Sequence, residues 1–307
     1  MRAIVVDRFG GPEELHVQDV PLPRPASGDV LVRVISAGVG PWDVAKREGR
    51  LGGDPPFVPG FECAGTVVGA TGDEAGFHDG EPVYGYIGYE GAYAEYVTCP
   101  PDRLAPLPVA LTLAEAGGMP VNLLTADAGI RDIMAVRAGQ TVLVTTAAGG
   151  LGHLAVQLAV RAGAQVIATA SRDHHDFVHK IGAAQVVDHN DADWPRLVRD
   201  MSSGGVDSAL AAVAPTIAGA AAATRDGGVV ATPARGGDAP TDNRIRVQLY
   251  DGPLEGRRLI RLAPTLDDGA VALILAARYD LEDAAAAQQH VGQGHTRGKV
   301  VLTVDEL

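Results

Sequence analysis

The sequence predicts an α/β protein, a doubly wound parallel-sheet domain inserted into a β-rich domain built from both chain ends. Three observations predict it. Short apolar runs broken by Pro and Gly fill residues 1–120. Strand and helix patterns alternate over 121–265. Short strands then return over 266–307. Turn-rich β segments suit a partly closed antiparallel barrel, and alternation of strand with helix implies a parallel sheet covered on both faces.

In chain order, Ala3–Val6, Asp29–Ile35, Gly65–Val68 and Ala94–Thr98 read as the strands of the first part. Thr141–Thr145 is a β-branched run that ends in Ala147-Ala148-Gly149-Gly150-Leu151-Gly152. The helix that follows shows one apolar face, Leu151, Leu154, Ala155, Leu158, Ala159 and Ala162, and Gly163 closes it. Val166–Thr169, Gln185–Asp188, Val206–Ala211 and Gly228–Thr232 continue the sheet. Ala270–Leu275, a Leu281–Val291 helix and Lys299–Val304 complete the chain.

Composition narrows the function. The 307 residues are 46% apolar and 21% charged, as in an ordinary globular protein, and the formal charge is -13. That charge repels polyanions and argues against nucleic-acid and acidic-membrane partners. The uncharged run Ser208–Thr224 is mostly alanine and is broken by Pro215, so it reads as strand, turn and helix, with no role in a membrane. Met1–Asp7 reaches a charge too soon for a secretory signal, so the cytoplasm is the expected compartment.

The glycine-rich turn carries the chemistry. A strand ending in such a turn and opening a helix brings backbone N–H groups and a positive helix end together, which suits a pyrophosphate. Ala147, Gly149 and Gly152 take the three positions of the dinucleotide fingerprint. An acid at the end of the next strand would favour NAD(H). Thr169-Ala170-Ser171-Arg172 stands there instead, with a hydroxyl and a guanidinium for the 2′-phosphate of NADP(H).

These pieces, with Ala37 to Asp43, Pro59 to Gly65, Gly91 to Val97, Leu124-Thr125-Ala126 and Gly298 to Leu302, resemble the medium-chain dehydrogenase/reductase superfamily. The likeness is to its zinc-free quinone oxidoreductase (zeta-crystallin-like) branch and covers nearly the whole chain. It implies a GroES-like β domain plus a Rossmann domain. It implies that Ala148, Gly149, Gly150, Leu151 and Gly152 hold the pyrophosphate and that Ser171 and Arg172 face the 2′-phosphate. It further implies that Thr125 lies near the nicotinamide and that His189 flanks the adenosine end.

Zinc-dependent relatives hold their metal with a cysteine and a Gly-His-Glu histidine. Gly40 and Phe61 stand at those places, and neither offers a lone pair. Cys63 and Cys99 lack the spacing of a metal pair and read as small buried residues. Without a Lewis acid, hydride delivery to an already electron-poor quinone or α,β-unsaturated carbonyl is the easier chemistry. Trp42, Asp43 and Lys46 are the pocket candidates. Asp43 reads equally as a helix cap. An enoyl-thioester reductase and a non-catalytic NADPH-binding protein are the other readings. The alternating Arg244–Tyr250 run suits a sheet edge, which either pairs two copies as a homodimer or uses its charges to prevent pairing.

Overall fold

β-Branched residues in alternation favour pleated strands, and the first part of the chain folds accordingly. The computed structural model describes residues 1–70, 76–236 and 243–305. They group into two units, Met1–Val121 with Leu254–Gly269 and Leu273–Leu307, and Asn122–Pro253 with Ala270–Ala272. Helix Gly256–Asp267 therefore belongs to the first unit, ahead of the return at 266 that the change of rhythm suggests. A methyl group on Gly256 would collide with the Leu104 carbonyl, so this close approach requires glycine.

In the first unit β1 (Arg2–Val6) and β2 (Leu15–Asp19) form an antiparallel pair. The larger sheet contains β3 (Val30–Val39), β4 (Glu62–Ala70), β5 (Pro82–Tyr86), β6 (Tyr96–Cys99) and β7 (Leu104–Pro106). Its last two strands, β14 (Leu275–Asp280) and β15 (Lys299–Thr303), come from the end of the chain. The order is β14-β15-β3-β4-β5-β7, with β6 also on β3. β3 is the spine: it pairs with β15, β4 and β6, and Val30, Val32 and Val34 are wholly buried along it. Cys63 and Cys99 sit in the same core as free thiols, as expected for small apolar residues.

The strand expected at Ala270–Leu275 lies instead at Leu275–Asp280. Leu275, Ala277 and Tyr279 alternate with more exposed neighbours there, so the period-2 pattern begins where the apolar run ends. The terminal helix runs Ala284–Gly292 after a single 3₁₀ turn at Leu281–Asp283.

The strands of the second unit are β8 (Thr141–Val144), β9 (Gln165–Ala170), β10 (Gln185–Asp188), β11 (Val206–Leu210), β12 (Thr224–Thr232) and β13 (Arg246–Leu249). They form a six-stranded parallel sheet in the order β10-β9-β8-β11-β12-β13. The chain steps outward from β8 through β9 to β10, then returns to the other side of β8. Ligands of open α/β sheets bind at the carboxyl ends of strands at such a reversal. Helix Gly152–Arg161 buries Leu154, Ala155, Leu158 and Ala159. Each buried leucine contributes about 1.5–3 kcal/mol. The uncharged run resolves into β11, the turn Ala214–Thr216 and helix Ile217–Ala223. Among the described residues no helix is long and apolar enough to cross a membrane.

Candidate active site

The turn after β8 leaves the sheet at its switch point. Thr146 there has φ 53°, a left-handed conformation rare for a β-branched residue. Such strain costs about 1–3 kcal/mol and persists where the surroundings impose it. Here the Thr146 amide donates to Thr169 Oγ1 at 3.2 Å, and the Ala147 amide donates to the Thr169 carbonyl at 2.9 Å. The Gly149 amide closes back onto the Thr146 carbonyl at 3.0 Å. A methyl group on Gly152 would fall on the Thr146 carbonyl oxygen and lie 2.6 Å from Ala147 Cα. Glycine is therefore what lets the helix mouth rest against the turn. The His153 and Ala155 amides of this ten-residue helix are taken by the Gly149 and Leu151 carbonyls at 3.0 Å, so the amides of Gly150, Leu151 and Gly152 are the ones at its mouth for a ligand, and the helix dipole adds positive charge at the same end. This cradle fits a dinucleotide pyrophosphate.

Sequence reasoning missed the brace beneath the turn. His153 is wholly buried, and its Nδ1 lies 2.9 Å from the Gly149 carbonyl. Only an N–H at Nδ1 can make that contact. A histidine one place into a glycine-rich helix start was the available signal.

At the end of β9, Ser171 Oγ lies 3.2 Å from His174 Nδ1, and Arg172 extends into solvent with Nε 3.0 Å from Asp188 Oδ2. The partner of Arg172 is thus an acid on β10 rather than the adjacent Asp173. His189 follows Asp188, is half-buried, and donates its amide to the Ala170 carbonyl at 3.2 Å. Thr125 is buried on helix Pro120–Asp127, and its carbonyl accepts a 3.0 Å hydrogen bond from the buried Tyr250 hydroxyl. The described second unit thus brings Ala148 to Gly152, Ser171, Arg172 and His189 to the carboxyl ends of neighbouring strands.

Trp42, Asp43 and Lys46 lie in the first unit, on helix Pro41–Arg47. Asp43 is fully buried and accepts the Gly40 amide at 2.8 Å, which caps that helix. Burial pushes its carboxyl up to about 8, while Lys299 and the Gly40 amide pull it down. Lys46 is buried along its stem, donates to the Gly52 carbonyl at 3.2 Å, and sits 3.6 Å from Glu90. The half-buried Trp42 ring carries Lys299 Nζ 4.3 Å from its centroid.

Lys299, which sequence reasoning did not single out, is the centre of a buried polar cluster. It pairs with the wholly buried Glu62 at 2.8 Å, and Glu62 Oε2 accepts the Val121 amide at 2.6 Å. Burial raises the Glu62 carboxyl, and Lys299 opposes that rise. Gly38 makes the room, since a methyl group there would collide with the Glu62 carboxyl. Burial also lifts the Tyr93 hydroxyl well above the usual phenol range, with Asp43 beside it adding to the rise.

An aromatic group adjoins this cluster. Phe61 lies 6.3 Å from Trp42, 6.4 Å from Tyr86 and 5.5 Å from Tyr89, centroid to centroid. Tyr89 stands edge-on to both Phe61 and Tyr86 and is 56% exposed. Phe61 and Tyr86 are buried, so Tyr89 and the half-buried Trp42 are the rings of this group with surface left for a flat, conjugated ligand.

Gly40 caps a helix, Phe61 packs among rings, and among the described residues no three His, Cys, Asp or Glu side chains converge as metal ligands.

Comparison with known proteins agrees with this architecture. The alcohol dehydrogenase GroES-like domain family matches residues 26–109, and the zinc-binding dehydrogenase family matches 150–251. Quinone oxidoreductase of Mus musculus is 31% identical, over 98% of this chain and 97% of that protein. A synaptic vesicle membrane protein VAT-1 homolog-like protein of Mus musculus is 35% identical over 68% of this chain, a match that spans half of that relative. A crystal structure of an NAD-dependent alcohol dehydrogenase superposes with TM-score 0.91 at 30% identity, covering 99% of this chain and 100% of that one. A mycobacterial protein complexed with NADPH gives 0.90 at 29% identity, covering 99% and 100%. The chain therefore belongs to the medium-chain dehydrogenase/reductase superfamily of pyridine-nucleotide oxidoreductases, in its quinone oxidoreductase branch.

Proposed function

We propose that this protein uses NADP(H) to transfer hydride, without a metal, to a quinone or α,β-unsaturated carbonyl. The observation that carries the reading is the pair Ser171 and Arg172 at the end of β9, a hydroxyl and an exposed guanidinium where NAD-preferring sites place an acid. The NADPH complex of a mycobacterial neighbour supports the same choice.

Bound NADP(H) would supply a hydride from its nicotinamide ring. The chain's own contribution is to bind and orient. The amides of Gly150, Leu151 and Gly152 face the diphosphate, and Arg172 adds a charge-assisted contact to the 2′-phosphate. Thr125, its backbone fixed by Tyr250, is the residue assigned to the nicotinamide side. Tyr89 and the half-buried Trp42, packed against the buried Phe61 and Tyr86, offer ring surface to a flat acceptor. Asp43 and Lys46 hold the helix that carries Trp42, and solvent delivers the proton that completes reduction.

The test is NADPH oxidation, followed at the nicotinamide absorbance, with 1,4-naphthoquinone, an aryl enone, an aliphatic enal and a crotonyl thioester of coenzyme A. Turnover with the first two and a preference for NADPH over NADH is expected. Turnover confined to the thioester, or tight NADPH binding with no acceptor reduced, would overturn it.

A further inference from the structure

The acid that holds Arg172 bears on how the cofactor would be selected, an inference that rests on the NADP(H) reading above. β9 and β10 run in parallel with Ala170 opposite Asp188, so the chain leaving Ala170 passes beside the Asp188 carboxylate. That carboxylate is fixed at one oxygen. Oδ1 accepts the Asn190 amide at 2.9 Å and the Asn190 side-chain amide at 3.1 Å. Oδ2 is left for Arg172, and it takes Nε at 3.0 Å. A guanidinium carries five N–H donors in one rigid plane, so engaging Nε alone aims the plane and leaves both terminal amino groups to bind a ligand. The Arg172 side chain is 83% exposed, and with Asp188, His175 and Asp191 it borders an open depression on the surface.

Asp188 acts on a bound phosphate in two opposed ways. Its negative charge repels the phosphate, but across several ångströms of water and salt that costs only about two- to threefold in affinity. Its hold on Nε removes most of the rotamer freedom of a long side chain, which left free would cost about tenfold or more on binding. Ordering wins.

We propose that Asp188 is a positioning residue that sets preference for a 2′-phosphorylated dinucleotide by holding Arg172 through Nε with its terminal N–H groups turned toward the phosphate. The residue comes from a neighbouring strand, sixteen positions beyond Arg172.

The experiment measures NADPH and NADH dissociation constants by calorimetry, at fixed ionic strength, for the full chain and for Asp188→Ala, Asp188→Asn and Arg172→Ala. Asp188→Ala is expected to weaken NADPH about tenfold and to leave NADH within twofold. Asp188→Asn keeps an oxygen acceptor for Nε–H and is expected to recover most of the loss. Arg172→Ala should weaken NADPH at least as much as Asp188→Ala. If Arg172→Ala weakens NADPH while Asp188→Ala leaves it unchanged or tighter, the positioning role is overturned and the NADP(H) reading stands. If Arg172→Ala changes nothing, the NADP(H) reading itself falls, and the positioning role with it. Equal losses for both nucleotides in Asp188→Ala would mark a merely structural role and also overturn the proposal.

Discussion

Gly152→Ala is the sharpest test of the phosphate cradle. The added methyl would land on the Thr146 carbonyl oxygen, 2.6 Å from Ala147 Cα and 2.9 Å from the Thr146 carbonyl carbon. All three are backbone atoms, so no side chain can swing away and the helix mouth must move. Overpacking of this kind costs about 1–3 kcal/mol. For a unit of this size that lowers Tm by roughly 2–4 °C per kcal/mol, or about 6 °C in the middle of the range. Displacing the helix mouth also misaligns the amides meant for the diphosphate. Losing one charge-assisted hydrogen bond there weakens NADPH by about ten- to a hundredfold. Gly149→Ala is the control: its methyl would meet the Thr146 carbonyl at 3.4 Å and Cγ2 at 3.7 Å, which is ordinary contact. That variant should melt within about 1 °C of the parent, well inside the penalty above. Thermal melts and NADPH calorimetry on both variants check the argument. A Gly152→Ala protein that matches the parent in Tm and in NADPH affinity refutes it.

Three further outcomes follow from the first unit and from Tyr250. Asp43 has a folded-state value of about 8 against 3.8 for the free side chain, so the folded state holds its proton more tightly. Its stabilising contribution is complete below about 4 and is lost as pH rises toward 8, so Asp43→Asn should flatten the decline of Tm over that range. Lys299→Met strands the buried Glu62 charge and should cost about 3–5 kcal/mol by chemical denaturation, part of which Glu62→Gln in the same chain restores. Tyr250→Phe removes the donor to the Thr125 carbonyl and should cost about 1 kcal/mol in the same assay.

Much of the fold was legible because local periodicity and tertiary packing agree. The apolar face of helix Gly152–Arg161, the parallel strands and the glycine turn all follow from spacing. The strand at Leu275–Asp280 was displaced in the sequence reading because the apolar run before it looks more strand-like than the charged Arg278 and Asp280 within it. At the site, Ser171 and Arg172 could be found by counting from the fingerprint. Asp188, Lys299 and Glu62 could not, since each matters through a partner distant in sequence: Asp188 to Arg172, Lys299 to Glu62. Spacing reports contacts within an element, whereas strand register brings such partners together.

The parallel register that sets Ala170 against Asp188 has a practical corollary for engineering. Swapping the 171–174 loop for one from an NAD-using relative would change the cation but leave the opposing anion where it is. Re-tuning the coenzyme at this sheet therefore means editing two segments together.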